Sequence, residues 1–168
     1  MTVNNMEPVY KNIPKSKSDL LLNFWGYDLM EEYASMLKEA EFEKNIFVLD
    51  VATGTGRAVS LLARLGYRVI TGDISVEGRQ DSNNRISDKF LEYVQYIRLN
   101  MEALPFSDNS IENIVCMNTL HELDNPMQCL DELFRIHTAD GKMFIADFNA
   151  EGMDVMDKLH DMRYGERH

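Results

Sequence analysis

The chain has 168 residues, which is the usual size of one domain, and 45% of its residues are hydrophobic. No run approaches the roughly eighteen apolar residues of a membrane-spanning helix, and the polar N-terminal stretch lacks the apolar core of a signal peptide. The formal net charge of −11 disfavours a nucleic-acid substrate, because an acidic surface repels phosphate backbones at long range.

Helices and strands are predicted to alternate from the first domain residues onward. We expect residues 1–18 to form an N-terminal arm and residues 19–168 to form a single domain in a cytoplasmic protein. Asp19 is predicted to cap a long helix that runs to about Glu43. A strand at 46–51 should follow, then a helix at 57–65 and a second strand at 68–73.

Three more strands and three more helices are predicted after the second strand. The first of these helices should be short, because its sequence is polar and contains Gly78. Further strands are predicted at 93–99, 111–117 and 142–148, with a turn at Asp140–Gly141 before the last of them. The last two helices should begin near Pro126 and Met153. This alternation predicts a parallel sheet with right-handed crossovers.

A glycine turn between the first strand and its helix is the strongest sign of a ligand site. Gly54 and Gly56 carry no Cβ, so the backbone can take positive φ and approach a ligand at the helix N-terminus. Asp73 ends the second strand, where doubly wound sheets bind ribose hydroxyls. Val59 occupies the position of the third glycine of the dinucleotide fingerprint. The sequence therefore favours a nucleoside ligand without phosphates.

Three motifs occur in order along the chain: VLDVATGTG at 48–56, GDIS at 72–75 and NMEALPFSDNSIE at 100–112. Together they resemble the class I S-adenosylmethionine-dependent methyltransferases, most closely the ubiquinone/menaquinone-type branch. The resemblance implies an α/β, Rossmann-like doubly wound sheet with strand order 3-2-1-4-5. The antiparallel β6/β7 hairpin that usually ends the family's sheet has no counterpart here. Either the chain is shortened at its C-terminal end or the fifth strand is an open edge, and an open edge invites a homodimer through it.

The resemblance implies S-adenosylmethionine as the cofactor and assigns its contacts. The residues implied in cofactor binding are Asp50, Ala52, Thr53, Gly54, Gly56, Asp73, Ile74, Asn100, Met101, Glu102 and Asn118. Asp73 would accept the ribose hydroxyls, and Ile74 and Met101 would cover the two faces of the adenine. Asn118 would line the cavity near the transferred methyl group.

Histidines suggest two further hypotheses about the site. His121 lies in a segment, 120–123, that resembles the family's L-H-x-L turn, where it would act as a general base or simply hydrogen-bond the loop. His160 and His168 stand among acidic residues near the C-terminus and could bind a metal or an acceptor. A solvated helix end explains them more simply, so no metal site is expected.

The function that the sequence favours is methyl transfer from S-adenosylmethionine to a small-molecule acceptor. The motifs do not specify the acceptor. The competing hypothesis is a non-catalytic cofactor-binding subunit or partner subunit that docks on a second chain through its exposed fifth strand.

Overall fold

The computed structural model describes residues 8–77 and 79–164, and these contain a five-stranded parallel sheet. Its strands are β1 (Val48–Val51), β2 (Val69–Asp73), β3 (Val94–Arg98), β4 (Ile111–Met117) and β5 (His137–Ala146). The spatial order is β3-β2-β1-β4-β5, and each neighbouring pair is parallel. The predicted Rossmann-like α/β fold and its strand order are thus confirmed. Within the described residues no strand extends the sheet beyond β5.

Six α-helices connect and flank these strands in the described part of the chain. They are α1 (Lys17–Phe24), α2 (Leu29–Glu39), α3 (Arg57–Arg64), α4 (Arg79–Ile86), α5 (Pro126–Ile136) and α6 (Ala150–Tyr164). Short 3₁₀ turns lie at Asp88–Tyr93 and Leu120–Glu122. α4 has eight residues, in agreement with the short helix expected there. Of the helices placed in residues 8–77 and 79–164, none combines the length and apolarity that crossing a bilayer requires.

The prediction of one long helix from Asp19 to about Glu43 was wrong, because two caps divide that segment. Gly26 adopts a φ of +95° just after α1, and the Asp28 side chain accepts hydrogen bonds from two amides in the first turn of α2. The N-cap of α1 is Ser16. Asp19 instead occupies the third helical position, and its carboxylate accepts a hydrogen bond from the Ser16 amide at 2.7 Å.

The start of β5 also differs from the expectation. The strand begins at His137, five residues before the predicted start at Lys142, and the expected turn at Asp140–Gly141 lies inside it. The pairing register with β4 is irregular between Ile111 and Asn113, which accommodates the additional residues of β5. Turn-forming residues therefore mark a bulge here, not the end of an element.

Apolar side chains cover both faces of the sheet. Val48 belongs to one core cluster and its neighbour Leu49 to the other, because successive side chains of a strand point to opposite faces. Of the predicted arm, residues 1–7 lie outside the described residues. Ile13 is buried against the first cluster, and the helix begins at Lys17, so part of this segment packs on the domain. The domain boundary at residue 19 stays a prediction.

Candidate cofactor and acceptor site

A cavity of about 1030 Å³ opens at the carboxyl edge of the sheet, where β1 and β4 lie side by side. The chain order reverses between these two strands, and such a switch point leaves a crevice beyond the strand ends. The volume is comparable to that of sites that bind small molecules. All the residues predicted to bind a cofactor line this cavity except Gly56. The sequence-based grouping of these residues is thus reproduced in three dimensions.

Positive φ angles shape the turn between β1 and α3. Gly54 (φ +49°) lines the cavity, and a Cβ built there would meet no neighbour closer than 3.9 Å, so the turn presents bare backbone to the cavity. Gly56 (φ +82°) starts α3, and a Cβ there would lie 2.4 Å from the Ser82 hydroxyl oxygen. Position 56 therefore requires glycine, because a side chain there would collide with α4. Ala52 also has positive φ, +60°, a conformation that favours glycine.

The carboxylate of Asp73 fixes the glycine turn from the end of β2. One of its oxygens accepts a hydrogen bond from the Gly54 amide at 2.9 Å, and the other accepts from the Ser75 amide at 3.0 Å. The side chain also lines the cavity. Asp73 thus connects the tips of two neighbouring strands and leaves lone pairs on both oxygens for a ligand.

Asp50 is the most enclosed carboxylate of the cavity wall, with 2% of its surface exposed. Thr71 donates a hydrogen bond to it at 2.7 Å, and the Thr53 hydroxyl lies 2.6 Å from that of Thr71. Burial raises the pKa of Asp50 to about 7, against the opposing effect of the Thr71 hydrogen bond. Among the ion pairs of the described residues, none involves Asp50.

The segment after β3 forms a third side of the cavity. Met101 is buried in the core on this side, whereas Ile74, after β2, is 60% exposed. The Asn100 side-chain oxygen accepts a hydrogen bond from the Glu102 amide at 3.0 Å. The Glu102 carboxylate accepts one from the Asn125 side chain at 2.8 Å. Both side chains are therefore already engaged within the protein, each through one of its oxygens.

Asn118, just past β4, adopts a φ of +50° and donates its side-chain amide to the Tyr33 hydroxyl at 2.7 Å. Tyr33 comes from α2, is 5% exposed and also lines the cavity. Burial raises its pKa. The sequence analysis did not find Tyr33, because its apolar spacing on α2 is also that of a core residue.

The family model described as "Methyltransferase domain" matches residues 49–145 of this chain. This range contains the three motifs, apart from the first residue of the first one, and most of the cavity wall at the sheet edge. The chain belongs to the class I S-adenosylmethionine-dependent methyltransferases.

Sequence relatives of this methyltransferase carry a consistent name. The ubiquinone/menaquinone biosynthesis C-methyltransferase UbiE of Hahella chejuensis is 26% identical and covers 81% of this chain and 60% of its own. The UbiE protein of Blochmanniella pennsylvanica is 29% identical, with coverages of 96% and 70%. The crystal structure of YcgJ from Bacillus subtilis has the same fold, with a TM-score of 0.65 at 23% identity and coverages of 82% and 60%. The chain thus spans between 60% and 70% of the length of these proteins.

In this methyltransferase His121 is held by a carboxylate that the sequence did not indicate. Its Nδ1 lies 2.6 Å from an Asp147 oxygen, and its backbone amide donates to the other oxygen at 3.1 Å. The ring packs edge-on against Phe148, with 5.4 Å between centroids. Glu122 lines the cavity but His121 does not. The histidine–carboxylate pair therefore stands beside the cavity, and its role as a base stays a prediction.

Helices α1 and α6 form a cover over the cavity that the motifs of the methyltransferase did not predict. The lining residues of this cover are Ser16, Lys17, Ser18, Met156, Leu159, His160 and Arg163. His160, for which a solvated helix end was favoured, thus faces the cavity wall. His168 lies outside the described residues. Across residues 8–77 and 79–164, no cluster of three or more histidine, cysteine or acidic side chains is placed to hold a metal.

A buried ion cluster attaches this cover to the glycine turn. The Asp19 carboxylate of α1 lies 2.9 Å from the Arg57 guanidinium and 2.6 Å from that of Arg85. Arg85 is 2% exposed and also donates a hydrogen bond to the Thr55 carbonyl at 2.9 Å. The position of α1 is therefore coupled to the backbone that borders the cavity.

Proposed function

We propose that this chain transfers a methyl group from S-adenosylmethionine to a small-molecule acceptor in the cavity at the sheet edge. The proposal depends on one observation above all. Side chains and bare backbone from the ends of β1, β2, β3 and β4 converge on a single cavity, in the arrangement that the three motifs predict.

Asp50 is proposed to bind the ammonium group of the cofactor's methionine part. Its carboxylate is buried, lines the cavity and has a pKa raised by burial, so an incoming cation would stabilise its charged form. The hydroxyls of Thr71 and Thr53 would hold the carboxylate in place during binding. The backbone at Ala52 and Gly54 would follow the methionine part, since no side chain fills the space above Gly54.

Asp73 is proposed to accept the ribose hydroxyls while it keeps its hydrogen bonds to the Gly54 and Ser75 amides. Each carboxylate oxygen can accept two hydrogen bonds, so the ribose and the turn do not compete for it. Ile74 and Met101, which both line the cavity, are proposed to cover the two faces of the adenine. The exposed Ile74 side chain would lose contact with water when the ring covers it.

The chemistry demanded of the protein is mainly positioning. The cofactor supplies an electrophilic methyl group on a sulfonium, and the acceptor displaces the sulfur in line. Holding the two reactants aligned and excluding water can supply most of the acceleration. The cover formed by α1 and α6 serves that exclusion. If the acceptor must lose a proton, His121 paired with Asp147 is the base that we propose, acting through a water or a small movement of its loop.

A small-molecule acceptor is supported by the relatives, which are named for methyl transfer to carbon in ubiquinone/menaquinone biosynthesis. It is also supported by the cavity, which lies under helices instead of opening as a broad basic surface. The net charge of −11 is consistent with this proposal and disfavours nucleic acid.

Calorimetric titration with S-adenosylmethionine and S-adenosylhomocysteine tests the cofactor assignment. We expect both to bind, and we expect Asp73→Ala to weaken binding by roughly tenfold or more, because two charge-assisted hydrogen bonds are lost. Asp131→Ala, which removes an exposed carboxylate on α5 away from the cavity, should leave binding unchanged. Failure of both nucleosides to bind the wild-type chain would exclude the proposed function.

We also propose that two copies pair through the β5 edge, as the sequence suggested. Among the described residues β5 hydrogen-bonds to β4 on one side only. An edge strand of this kind can pair with another chain. Light scattering across a range of protein concentrations tests this, and a monomeric mass at every concentration would contradict it.

A subunit that binds cofactor but releases no S-adenosylhomocysteine with any acceptor would favour the non-catalytic alternative.

A further inference from the structure

The acidic and the basic residues that line the cavity come mostly from different elements of the fold. The acidic ones are Asp50, Asp73, Asp81, Glu102, Glu122 and Asp124, which come from strand ends, the segments after them and α4. The cover contributes Lys17, His160 and Arg163 and, among its described lining residues, no acid. The floor side also carries one base, Arg57, whose guanidinium is paired with the Asp19 carboxylate. The cavity therefore has a mainly acidic floor and a basic cover, in a chain whose net charge is −11.

The floor alone accounts for a cationic ligand. A sulfonium and an ammonium group are both stabilised by carboxylates in a partly enclosed space. The basic residues of the cover would not stabilise the sulfonium or the ammonium group of the cofactor. Their place in the same cavity is consistent with a second ligand, or a second part of a ligand, that carries negative charge.

One face of α6 supplies both an apolar and a basic surface. Met156, Leu159, His160 and Arg163 follow the spacing i, i+3, i+4, i+7, which puts them in one stripe along the helix. Leu159 is 2% exposed and packs with Leu22 of α1 in a small apolar cluster. Along the stripe the apolar side chains come first and the basic ones follow within the next turn.

The start of α1 completes the basic end of this stripe. Arg163 donates a hydrogen bond to the Ser18 hydroxyl, which ties the two helices together at the cavity. Lys17 is the first residue of α1, so its ammonium and the positive end of the helix dipole act at the same place. Ser16 and Ser18 add hydroxyl groups beside it.

From this arrangement we propose that the stripe of α6 and the first turn of α1 form the acceptor subsite. It takes a small molecule with an apolar body and one anionic group, such as a carboxylate or a phenolate. The apolar body lies along Met156, and the anionic group binds at Arg163, His160 and Lys17. This inference rests on the proposed methyl transfer and names the acceptor's chemical class.

The same separation of charge in the cavity predicts that the cofactor and the acceptor attract each other. A cationic sulfonium above the acidic floor and an anionic acceptor under the basic cover would stabilise each other. An acceptor with a cationic group would meet repulsion from the cover and from the sulfonium alike.

Three probes of one shape test the proposal on wild-type protein saturated with S-adenosylhomocysteine: benzoate, benzyl alcohol and benzylamine. Their dissociation constants are measured by ligand-observed nuclear magnetic resonance. We expect benzoate to bind roughly tenfold more tightly than benzyl alcohol, as one charge-assisted contact predicts, and benzylamine to bind most weakly. The preference for benzoate should disappear in the double variant His160→Gln/Arg163→Gln. It should also shrink in Lys17→Gln.

Lys38→Gln is the matched control, because it removes one exposed lysine on α2 outside the cavity and should keep the preference. If circular dichroism shows that the double variant is unfolded, Lys17→Gln decides the question. A benzoate preference that is absent, or that survives in every folded cover variant, would overturn the proposal.

The cofactor's own carboxylate is the other anion that the cover could bind, and a second comparison separates the two sources. S-adenosylhomocysteine and 5′-methylthioadenosine share the nucleoside, but only the first carries the amino-acid carboxylate. We expect the cover variants to bind both as the wild type does. A selective loss of S-adenosylhomocysteine affinity would assign these residues to the cofactor and refute the acceptor subsite. Absence of S-adenosylhomocysteine binding in the wild type would instead refute the proposed function.

Discussion

Two carboxylates, Asp19 and Asp50, are almost equally buried, with exposed fractions of 4% and 2%, but their surroundings are opposite. Burial opposes ionisation of Asp19, yet Arg57 and Arg85 outweigh it and lower the pKa to about 2. Burial of Asp50 is countered only by the Thr71 hydroxyl, and its pKa rises to about 7. The same side chain at similar depth thus carries a stable charge in one place and an uncompensated one in the other.

We interpret the burial of Asp19 as structural and the burial of Asp50 as functional. Asp19 already has its cations, and its effect is to hold α1 against the glycine turn through Arg85. Asp50 has no cation among the described residues and lies in a cavity wall. We interpret it as a group that costs stability in the ligand-free protein and is compensated when a cationic ligand binds.

The largest expected effect comes from Asp19→Ala, which leaves the buried Arg85 and the partly buried Arg57 without their shared anion. Loss of one partner from a buried ion cluster should lower the free energy of unfolding by about 3–5 kcal/mol. Urea denaturation near neutral pH measures this. Because the folded pKa lies below the unfolded value of 3.8, the wild-type stabilisation should be complete above about pH 4 and be lost towards pH 2.

Asp28→Ala provides a milder comparison for that experiment, since it removes a half-exposed cap of α2 and should cost about 1 kcal/mol. A loss no larger for Asp19→Ala than for Asp28→Ala would show that the buried cluster has little energetic weight.

Asp50→Asn should stabilise the ligand-free protein against unfolding, whereas Asp19→Ala should destabilise it. The folded pKa, about 7, lies above the unfolded value of 3.8, so the cost of the buried charge grows between about pH 4 and pH 7. Removing the charge should raise the free energy of unfolding by about 1–3 kcal/mol above neutral pH. Urea denaturation near pH 8 and near pH 5 measures the change, which should be smaller at the lower pH. Destabilisation of equal size at both values would contradict this interpretation.

The pH dependence of cofactor binding gives a third test, for which the expected effect is of moderate size. Because ionised Asp50 favours an ammonium group, affinity for S-adenosylmethionine should rise roughly tenfold as the pH increases through about 7. The Asp50→Asn variant should bind weakly with a flat profile. In the wild type, 5′-methylthioadenosine, which lacks the ammonium group, should also give a flat profile. Calorimetric titrations across the pH range would reveal a discrepancy in either control.

The smallest effect is expected from Ala52→Gly, which changes the turn beside Asp50 without changing its charge. Glycine relieves the strain of a φ of +60° but adds freedom to the unfolded chain, so the net stabilisation should stay below about 1 kcal/mol. Thermal unfolding of this variant and of Ala52→Val measures the balance. A β-branched residue should be clearly worse in this conformation, and equal midpoints for the two variants would argue against backbone strain at this position.

The strands and several floor residues could be predicted because each depends on local sequence, whereas the strand order was implied by the family resemblance. β1 and β2 are marked by apolar runs, and Asp50, Gly54 and Asp73 stand at fixed distances from the strand ends. Parallel strands bring such positions to one edge whatever else the chain does. The residues predicted to bind the cofactor therefore line one cavity, except Gly56, which packs against Ser82, and their contacts with a cofactor stay predictions.

The cover could not be predicted in the same way. The division of the first helix at Gly26 and Asp28 turned Asp19 from an expected cap into a buried anion. Its arginine partners are far away in the sequence, at 57 and 85, and no local spacing connects them. Turn residues at Asp140–Gly141 were likewise absorbed into a strand, because pairing with β4 outweighed their local preference.

The sequence by itself determined the class of fold, the family and three of the floor acids, Asp50, Asp73 and Glu102, since these depend on periodicity and on motifs only a few residues long. The tertiary structure alone decided which charges are buried together and which helix faces meet across the cavity. The physical reason is that burial and ion pairing depend on segments remote in the chain, and their energies are set only when packing removes the water between them.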